Sequence, residues 1–454
     1  MKLMNLDQYD SIGVVGLGQT GLSCVRYLLE RGVQPVVFDT RQQPPGLAKL
    51  HALSADLEIH TGPLELEHIL GMDLLIVSPG VDLRTPVLQM ARDAAIPVIG
   101  DMDLFARHVN KPVLGITGSN GKSTVTRLVS ELLTAAGLQV AIGGNIGVPV
   151  LDLVGHDVDV FVLELSSFQL ELLHDLHFKA ATILNISDDH LDRYNDIRDY
   201  TNAKHRIYLN TDIAVWNRDQ ETTAPSLVPE SEQLTFGKTP TGGRDPHRYG
   251  LVAEHNDWVI TVAGEPVVRA SELQLAGVHN LFNVQAALAM VSTCGVQPQQ
   301  VLTTLKQFKG LPHRCERIGE FNQVTWVNDS KATNIGAAEA AIMGMRPLVA
   351  GKLIVIAGGD GKGADFSYFR KALQQVDVLI VLGKDGERIA HQVQHAISVK
   401  SLAEAVQVAA ELATPQSMVL LSPACASLDM FDNYEQRGDQ FRAAVEAYYG
   451  RASA

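Results

Sequence analysis

Pro112-Val113-Leu114-Gly115-Ile116-Thr117-Gly118-Ser119-Asn120-Gly121-Lys122-Ser123-Thr124 reads as a short apolar strand, a glycine-rich turn closed by Gly-Lys-Ser, and the start of a helix. That order builds a phosphate cradle. Backbone N–H groups of the turn and the positive end of the helix dipole face the anion. The lysine reaches the outer phosphates, and the serine hydroxyl is a ligand for Mg²⁺. The match to the common P-loop pattern is incomplete, because the place five residues before Gly121 holds Ile116, and the glycines stand instead at Gly115 and Gly118. Gly-Lys-Ser by itself is a common tripeptide. The strand before it and the amphipathic run after it (Val125, Leu128, Val129, Leu132, Leu133, closed by Gly137) favour a nucleoside-triphosphate site over a plain strand-to-helix turn.

Around this stretch the chain runs to 454 residues, a length that suggests about three domains. Hydrophobic residues make up 46 %, enough for several cores, and 51 acidic residues outnumber 37 basic ones for a formal charge of −14. A net-acidic chain without a basic run argues against nucleic-acid binding, and its cations are expected where anionic ligands sit. Four scattered cysteines (Cys24, Cys294, Cys315, Cys425) form no Cys-x-x-Cys pair and read as reduced thiols of a cytoplasmic protein. No signal-peptide core and no apolar run of about 18 residues is present, so no membrane span is expected.

Short apolar runs alternate with amphipathic stretches almost throughout, which is the α/β pattern. We read three α/β domains in series: 1–99 with a Rossmann-like start, 100–310 around the phosphate loop, and 311–454, again Rossmann-like. Residues 217–273 are polar and rich in Gly and Pro, and form a small β-rich excursion in the second domain.

In the first domain, Gly16-Leu17-Gly18-Gln19-Thr20-Gly21 lies between a strand and a helix, and Asp39 ends the next strand. Alone, this pattern suggests a dinucleotide site with a ribose-binding carboxylate, or merely a tight turn. Thr40, Arg41 and Ser78-Pro79-Gly80 fall on the same strand-end edge. In the second domain, Glu164 stands inside the apolar run Val162 to Phe168, where a carboxylate needs a metal, a phosphate-bound water or a buried partner. Asn145, in Gly143-Gly144-Asn145-Ile146-Gly147, serves either a ligand or a left-handed turn. His190, in Asp188-Asp189-His190-Leu191-Asp192, is a candidate divalent-metal ligand or a helix-capping residue. By itself Lys204 reads as a surface lysine.

Taken together these residues carry a resemblance that spans essentially the whole chain. Thr117 to Ser123 resembles the ATP loop of the Mur ligases, ATP-dependent enzymes that add amino acids to peptidoglycan precursors, and of the related folylpolyglutamate synthases. Gly277-Val278-His279-Asn280-Leu281-Phe282-Asn283 and Leu311-Pro312-His313-Arg314-Cys315-Glu316 are similar to the family's nucleotide motifs. Asn328-Asp329-Ser330-Lys331-Ala332-Thr333-Asn334 and Ser422-Pro423-Ala424-Cys425-Ala426-Ser427 resemble the branch that adds D-glutamate.

The resemblance implies roles. Gly118, Ser119, Asn120, Gly121, Lys122, Ser123, Thr124, Asn280, Arg314, Asp329 and Lys331 would bind ATP. Gln19, Thr20, Asp39, Thr40, Arg41, Gly80 and Asn145 would bind UDP-N-acetylmuramoyl-L-alanine. Thr333, Lys362, Ser427, Leu428 and Tyr434 would hold D-glutamate, with Tyr434 standing where phenylalanine is familiar. Ser123, Glu164, His190 and a carbamylated Lys204 would ligate Mg²⁺, two ions being implied, and Lys122 completes the catalytic set. A monomer is implied. The rival readings are another amino-acid ligase of the family, a NAD-dependent dehydrogenase, which leaves Lys122 idle, and a non-catalytic nucleotide sensor, which needs neither Glu164 nor the C-terminal loops.

Overall fold

The computed structural model describes residues 6–190, 193–238, 248–255, 257–275 and 277–452. Three separate sheets follow one another along the chain. In the first, parallel strands stand in the order Ile59–Thr61, Val36–Asp39, Ile12–Val15, Leu74–Val77, Val98–Ile99. The chain reverses direction across the sheet beside Ile12–Val15. A crevice therefore opens at the carboxyl ends of the strands, where Gly16 and Asp39 lie. Gly16 there has φ of 95°, in the left-handed region. A side chain at Gly21 would run into the Gly16 carbonyl oxygen, so the turn can close only around glycine.

The second sheet has nine strands. Val113–Thr117 lies between Phe178–Ile183 and Val160–Glu164, with Val140–Gly144 outside the latter. The three inner strands are nearly all apolar and almost fully buried, as a parallel sheet covered on both faces requires, and the outer Val140–Gly144 is half-buried. The β-rich excursion is not a free-standing unit. Its strands Gln233–Phe236, Arg248–Glu254, Asp257–Val262 and Glu265–Arg269 extend the same sheet beyond Thr211–Asn217, turning antiparallel over the last three. Helix Lys122–Ala135 buries Val125, Leu128, Val129, Leu132 and Leu133 in a core shared with helix Val278–Ser292. Burial of each such side chain is worth about 1.5–3 kcal/mol, which seats the phosphate-loop helix firmly on its sheet.

The third sheet orders Glu316–Phe321, Val324–Asn328, Met418–Leu421, Leu353–Gly358, Val378–Leu382 and Ile397–Ser398, parallel except for the first pair. Among the described residues no helix is long and apolar enough to cross a membrane.

Gly21→Ala forces its new methyl into the Gly16 carbonyl. It should destabilise the chain by about 1–3 kcal/mol, the usual cost of overpacking. Thermal unfolding monitored by circular dichroism checks this, and an unchanged midpoint would contradict the close approach.

Candidate active site

The phosphate loop is held open by its own neighbours. Gly118 and Gly121 take φ of 149° and 85°, and the second leads straight into the first turn of helix Lys122–Ala135. Asn185 fastens the loop at three points. Its carbonyl accepts from Ser119 N–H at 2.9 Å, its side-chain oxygen accepts from Asn120 N–H at 2.9 Å, and its amide donates to the Asn120 carbonyl at 3.0 Å. The Ser119 hydroxyl accepts from Ser187 N–H at 3.0 Å and lies 3.1 Å from the Tyr200 hydroxyl. The free N–H groups of the helix start are thus aimed at one spot, a ready anion site.

Two ammonium groups converge on that spot. Lys122 Nζ donates to the carbonyls of Gly118 at 2.7 Å and Ser119 at 2.9 Å, and Lys204 Nζ donates to the same Gly118 carbonyl at 3.0 Å. Lys204 is 1 % exposed, on helix Ile197–His205, with its nitrogen 4.6 Å from the Tyr200 ring centre. The surface-lysine reading of this residue is therefore corrected: helical packing turns it inward, under the phosphate loop. Burial pushes Lys122 below the ordinary lysine range, with Glu164 and Asp189 pulling the other way. Burial, and then repulsion from Lys122, holds Lys204 well below it.

Glu164 is buried to 2 % exposure at the end of its strand. One carboxylate oxygen accepts from Asn145 Nδ2 at 2.7 Å. The other is buried with no hydrogen-bond partner among the described residues. A buried carboxylate oxygen with no partner among the described residues is the kind of donor that a hard divalent cation takes. His190 has φ of 54°, and its ring stands edge-on to Phe168 at 4.8 Å. Asp192 lies outside the described residues.

On one side of this centre, a cavity of about 610 Å³ is lined by Gln19, Thr20, Asp39, Thr40, Arg41, Gly80 and Asn145. Asp39 is not a free ribose acceptor. It takes Leu17 N–H at 2.7 Å and two donors from the Arg41 guanidinium at 2.8 and 2.6 Å. Burial pushes its carboxyl up, but these bonds outweigh burial and leave it below the usual range. Its effect is to hold Arg41 over the cavity.

On the other side, a cavity of about 720 Å³ is lined by Asn120, Gly121, Thr124, Asn280, Arg314, Asp329 and Lys331, with Trp258 and Phe282 supplying flat apolar walls. Arg314 Nη2 donates to the Ser123 hydroxyl at 2.8 Å across the boundary between the second and third sheets. Asp329, buried, accepts from Ser422 Oγ at 2.8 Å and Cys315 N–H at 3.1 Å. Burial raises its carboxyl to about 6 against those bonds. Lys331 lies 3.9 Å from the Tyr434 ring centre, and burial, then Arg314, lowers it to about 8.

The D-glutamate set is drawn together only partly. The Lys362 and Ser427 loops are bridged by paired Asp360 and Ala426 backbone bonds at 3.0 and 2.8 Å. Thr333 N–H reaches the Lys331 carbonyl at 2.8 Å, and Leu428 is 72 % exposed. None of these residues lines either cavity. Sequence reasoning missed Asn185, Tyr200 and Asn283. Asn283 donates to the Asn280 side-chain oxygen at 3.0 Å, and a side chain at Gly121 would meet its Oδ1 at 2.6 Å. Asn185, a polar residue just past an apolar strand, was the one visible signal among them.

Three family models match in series: the Mur ligase MurD-like N-terminal domain over residues 10–100, the Mur ligase middle domain over 116–291, and the Mur ligase glutamate ligase domain over 313–425. Solved structures share the fold. The MurF of Acinetobacter baumannii is 18 % identical with a TM-score of 0.60, covering 96 % of this chain and 90 % of that one. The UDP-N-acetylmuramate-alanine ligase of Thermotoga maritima is 22 % identical with a TM-score of 0.57, covering 97 % and 99 %. A three-sheet chain with a lysine-lined phosphate loop between two cavities, matched by all three models, belongs to the Mur ligase family. Its branch is that of the UDP-N-acetylmuramoylalanine–D-glutamate ligases. That is the name of relatives in Idiomarina loihiensis, 48 % identical over 96 % of this chain and 97 % of that protein, and in Shewanella oneidensis, 47 % identical over 98 % and 99 %.

A lysine that loses its proton near pH 8 is cationic below that value and neutral above it. ATP affinity should therefore fall as pH rises past 8, by up to about tenfold per pH unit. Lys331→Arg stays charged and should flatten that limb. Calorimetric Kd values from pH 7 to 9.5 check this, and an identical limb in the arginine variant assigns the titration to another group.

Proposed function

We propose that this chain joins D-glutamate to UDP-N-acetylmuramoyl-L-alanine at the expense of ATP, through an acyl phosphate, as a step in peptidoglycan precursor synthesis. The observation that carries the reading is the orphaned Glu164 oxygen. The partner of the other Glu164 oxygen, Asn145, lines the cavity suited to a UDP-bearing substrate, and the Glu164 charge acts on Lys122 and Lys204 at the phosphate loop. The relatives' name supplies the substrates.

In this reading the first cavity takes the UDP group, with Gln19 and Thr20 on the diphosphate, and points the alanine carboxylate at the loop. ATP fills the second cavity, its base toward Asn280 and its outer phosphates on the loop N–H groups and Lys122. A carboxylate oxygen attacks the γ-phosphorus and ADP leaves. The D-glutamate amine then attacks the acyl carbon, phosphate leaves, and the amine gives up a proton. The obstacle is charge. Each like-charged pair 4 Å apart costs about 4 kcal/mol at an effective dielectric of 20. Lys122, Lys331 and Arg314 offset part of it. Mg²⁺ ions held by Ser123, Glu164, His190 and a carbamylated Lys204 would, when bound, neutralise the phosphate oxygens.

The depressed proton affinity of Lys204 supports the carbamate. A neutral buried amine adds to CO₂, loses a proton and becomes an anionic oxygen ligand. Thr333, Lys362, Ser427, Leu428 and Tyr434 receive D-glutamate. None of them lines either cavity, which fits a third domain that closes over the acyl phosphate and keeps water out. One chain carries every residue given a role in this reading, which suits a monomer. Its four free thiols suit the reducing cytoplasm.

Phosphate release from ATP with UDP-N-acetylmuramoyl-L-alanine should require D-glutamate. Release that is indifferent to D-glutamate, or met equally by other amino acids, would overturn the reading. Lys122→Ala should lower turnover at least about a hundredfold without unfolding, since it removes a preorganised cation from the transferring phosphate. Lys204→Ala should be inactive and partly rescued by a small added carboxylic acid. Full activity in that variant would dispose of the carbamate.

A further inference from the structure

Arg193 follows the His190 segment and is assigned no role by the motifs. Its side chain is only 11 % exposed, and it lines neither cavity itself. Its guanidinium reaches back to the first sheet. Nη1 donates to the Pro79 carbonyl at 3.1 Å and Nη2 to the Val81 carbonyl at 3.0 Å, so the two bonds straddle Gly80 in the wall of the first cavity. Nη2 also donates to Glu171 at 3.0 Å, and Nε lies 3.8 Å from Asp82. The loop it grips continues inward, where Ser78 Oγ donates to the Gly16 carbonyl at 2.8 Å, at the head of the glycine turn.

The other face of the same guanidinium lies over the Phe168 ring, 4.2 Å from its centre. Phe168 is the ring that His190 meets edge-on. Arg193 N–H also donates to the His190 carbonyl at 2.9 Å, bracing the left-handed backbone of that histidine. One planar cation is thus hydrogen-bonded to the UDP-side loop and stacked on the wall behind the imidazole, a combination that lysine cannot reproduce.

We infer that Arg193 is a positioning residue that couples the seating of the UDP-bearing substrate around Gly80 to the orientation of His190. The inference rests on the functional reading above. When the Pro79–Val81 loop is set by substrate, Arg193 and Phe168 are set with it, and the imidazole is presented to the reacting phosphates.

The test uses the full-length enzyme. Arg193→Ala should raise the calorimetric Kd of UDP-N-acetylmuramoyl-L-alanine by about tenfold and lower kcat by about tenfold, the size expected of a small misplacement. The Kd of ATP and the KM of D-glutamate should not move. Arg193→Lys should restore the thermal midpoint but neither parameter. Phe168→Leu keeps the carbonyl bonds and removes the stacking wall, so it should lower kcat while leaving the UDP-substrate Kd unchanged. An unchanged UDP-substrate Kd in Arg193→Ala, a parallel loss of ATP affinity, or full rescue by lysine would overturn the coupling. If the wild-type enzyme binds the UDP substrate but gives no D-glutamate-dependent turnover, the functional reading fails instead, and the binding measurements still judge Arg193.

Discussion

The whole molecule is organised around the carbonyl of Gly118. Lys122 and Lys204, from two different helices, both donate to it, the first from a half-buried position and the second from a fully buried one. Burial is the main reason both sit below the ordinary lysine range, with repulsion from Arg314 added at Lys122 and repulsion from Lys122 added at Lys204. Such crowding is stable only because one carbonyl, the Tyr200 ring and the nearby carboxylates share the charge. Phosphate oxygens arriving at the loop would meet its N–H groups and the Lys122 cation already in place, the form of electrostatic preorganisation that phosphoryl transfer exploits.

Everything else extends that centre in two directions. Toward the first sheet, Asn145 passes from the first cavity to Glu164, and Asp39 spends both its oxygens on Leu17 and Arg41. A dinucleotide fold would leave that carboxylate for a ribose. Here it holds the Arg41 guanidinium at the wall of the first cavity. Toward the third sheet, Arg314 touches Ser123 and Asn334 donates to Asp189 at 3.2 Å, so the nucleotide cavity is walled by two domains at once.

Much of the fold was legible from periodicity. The buried runs around Val113, Val160 and Phe178 are strands because parallel strands are apolar on both faces, and the helix after Lys122 is amphipathic because it covers one of those faces. The excursion after Asn217 was legible as β structure. That it continues the central sheet was not, because hydrogen bonds between distant strands leave no local trace. Of the site, the loop and Glu164 stood out by composition: a glycine-rich turn and a charge in an apolar strand each violate their surroundings. Lys204 did not. A lysine on a polar-looking helix is surface-like until one knows what packs on it.

By itself the sequence determined which chemistry is present: a phosphate-binding turn, a misplaced carboxylate, a second glycine turn, and motifs of one ligase family. These are short-range facts, set by the backbone angles glycine permits and by the cost of burying charge. Only the tertiary structure decided which groups meet. It turned Lys204 inward onto Gly118, bound Asp39 to Arg41, left one oxygen of Glu164 without a partner among the described residues, and laid Arg193 across the seam from Gly80 to Phe168. Those juxtapositions join residues far apart along the chain. They follow from how sheets and helices pack, which no stretch of the sequence encodes alone.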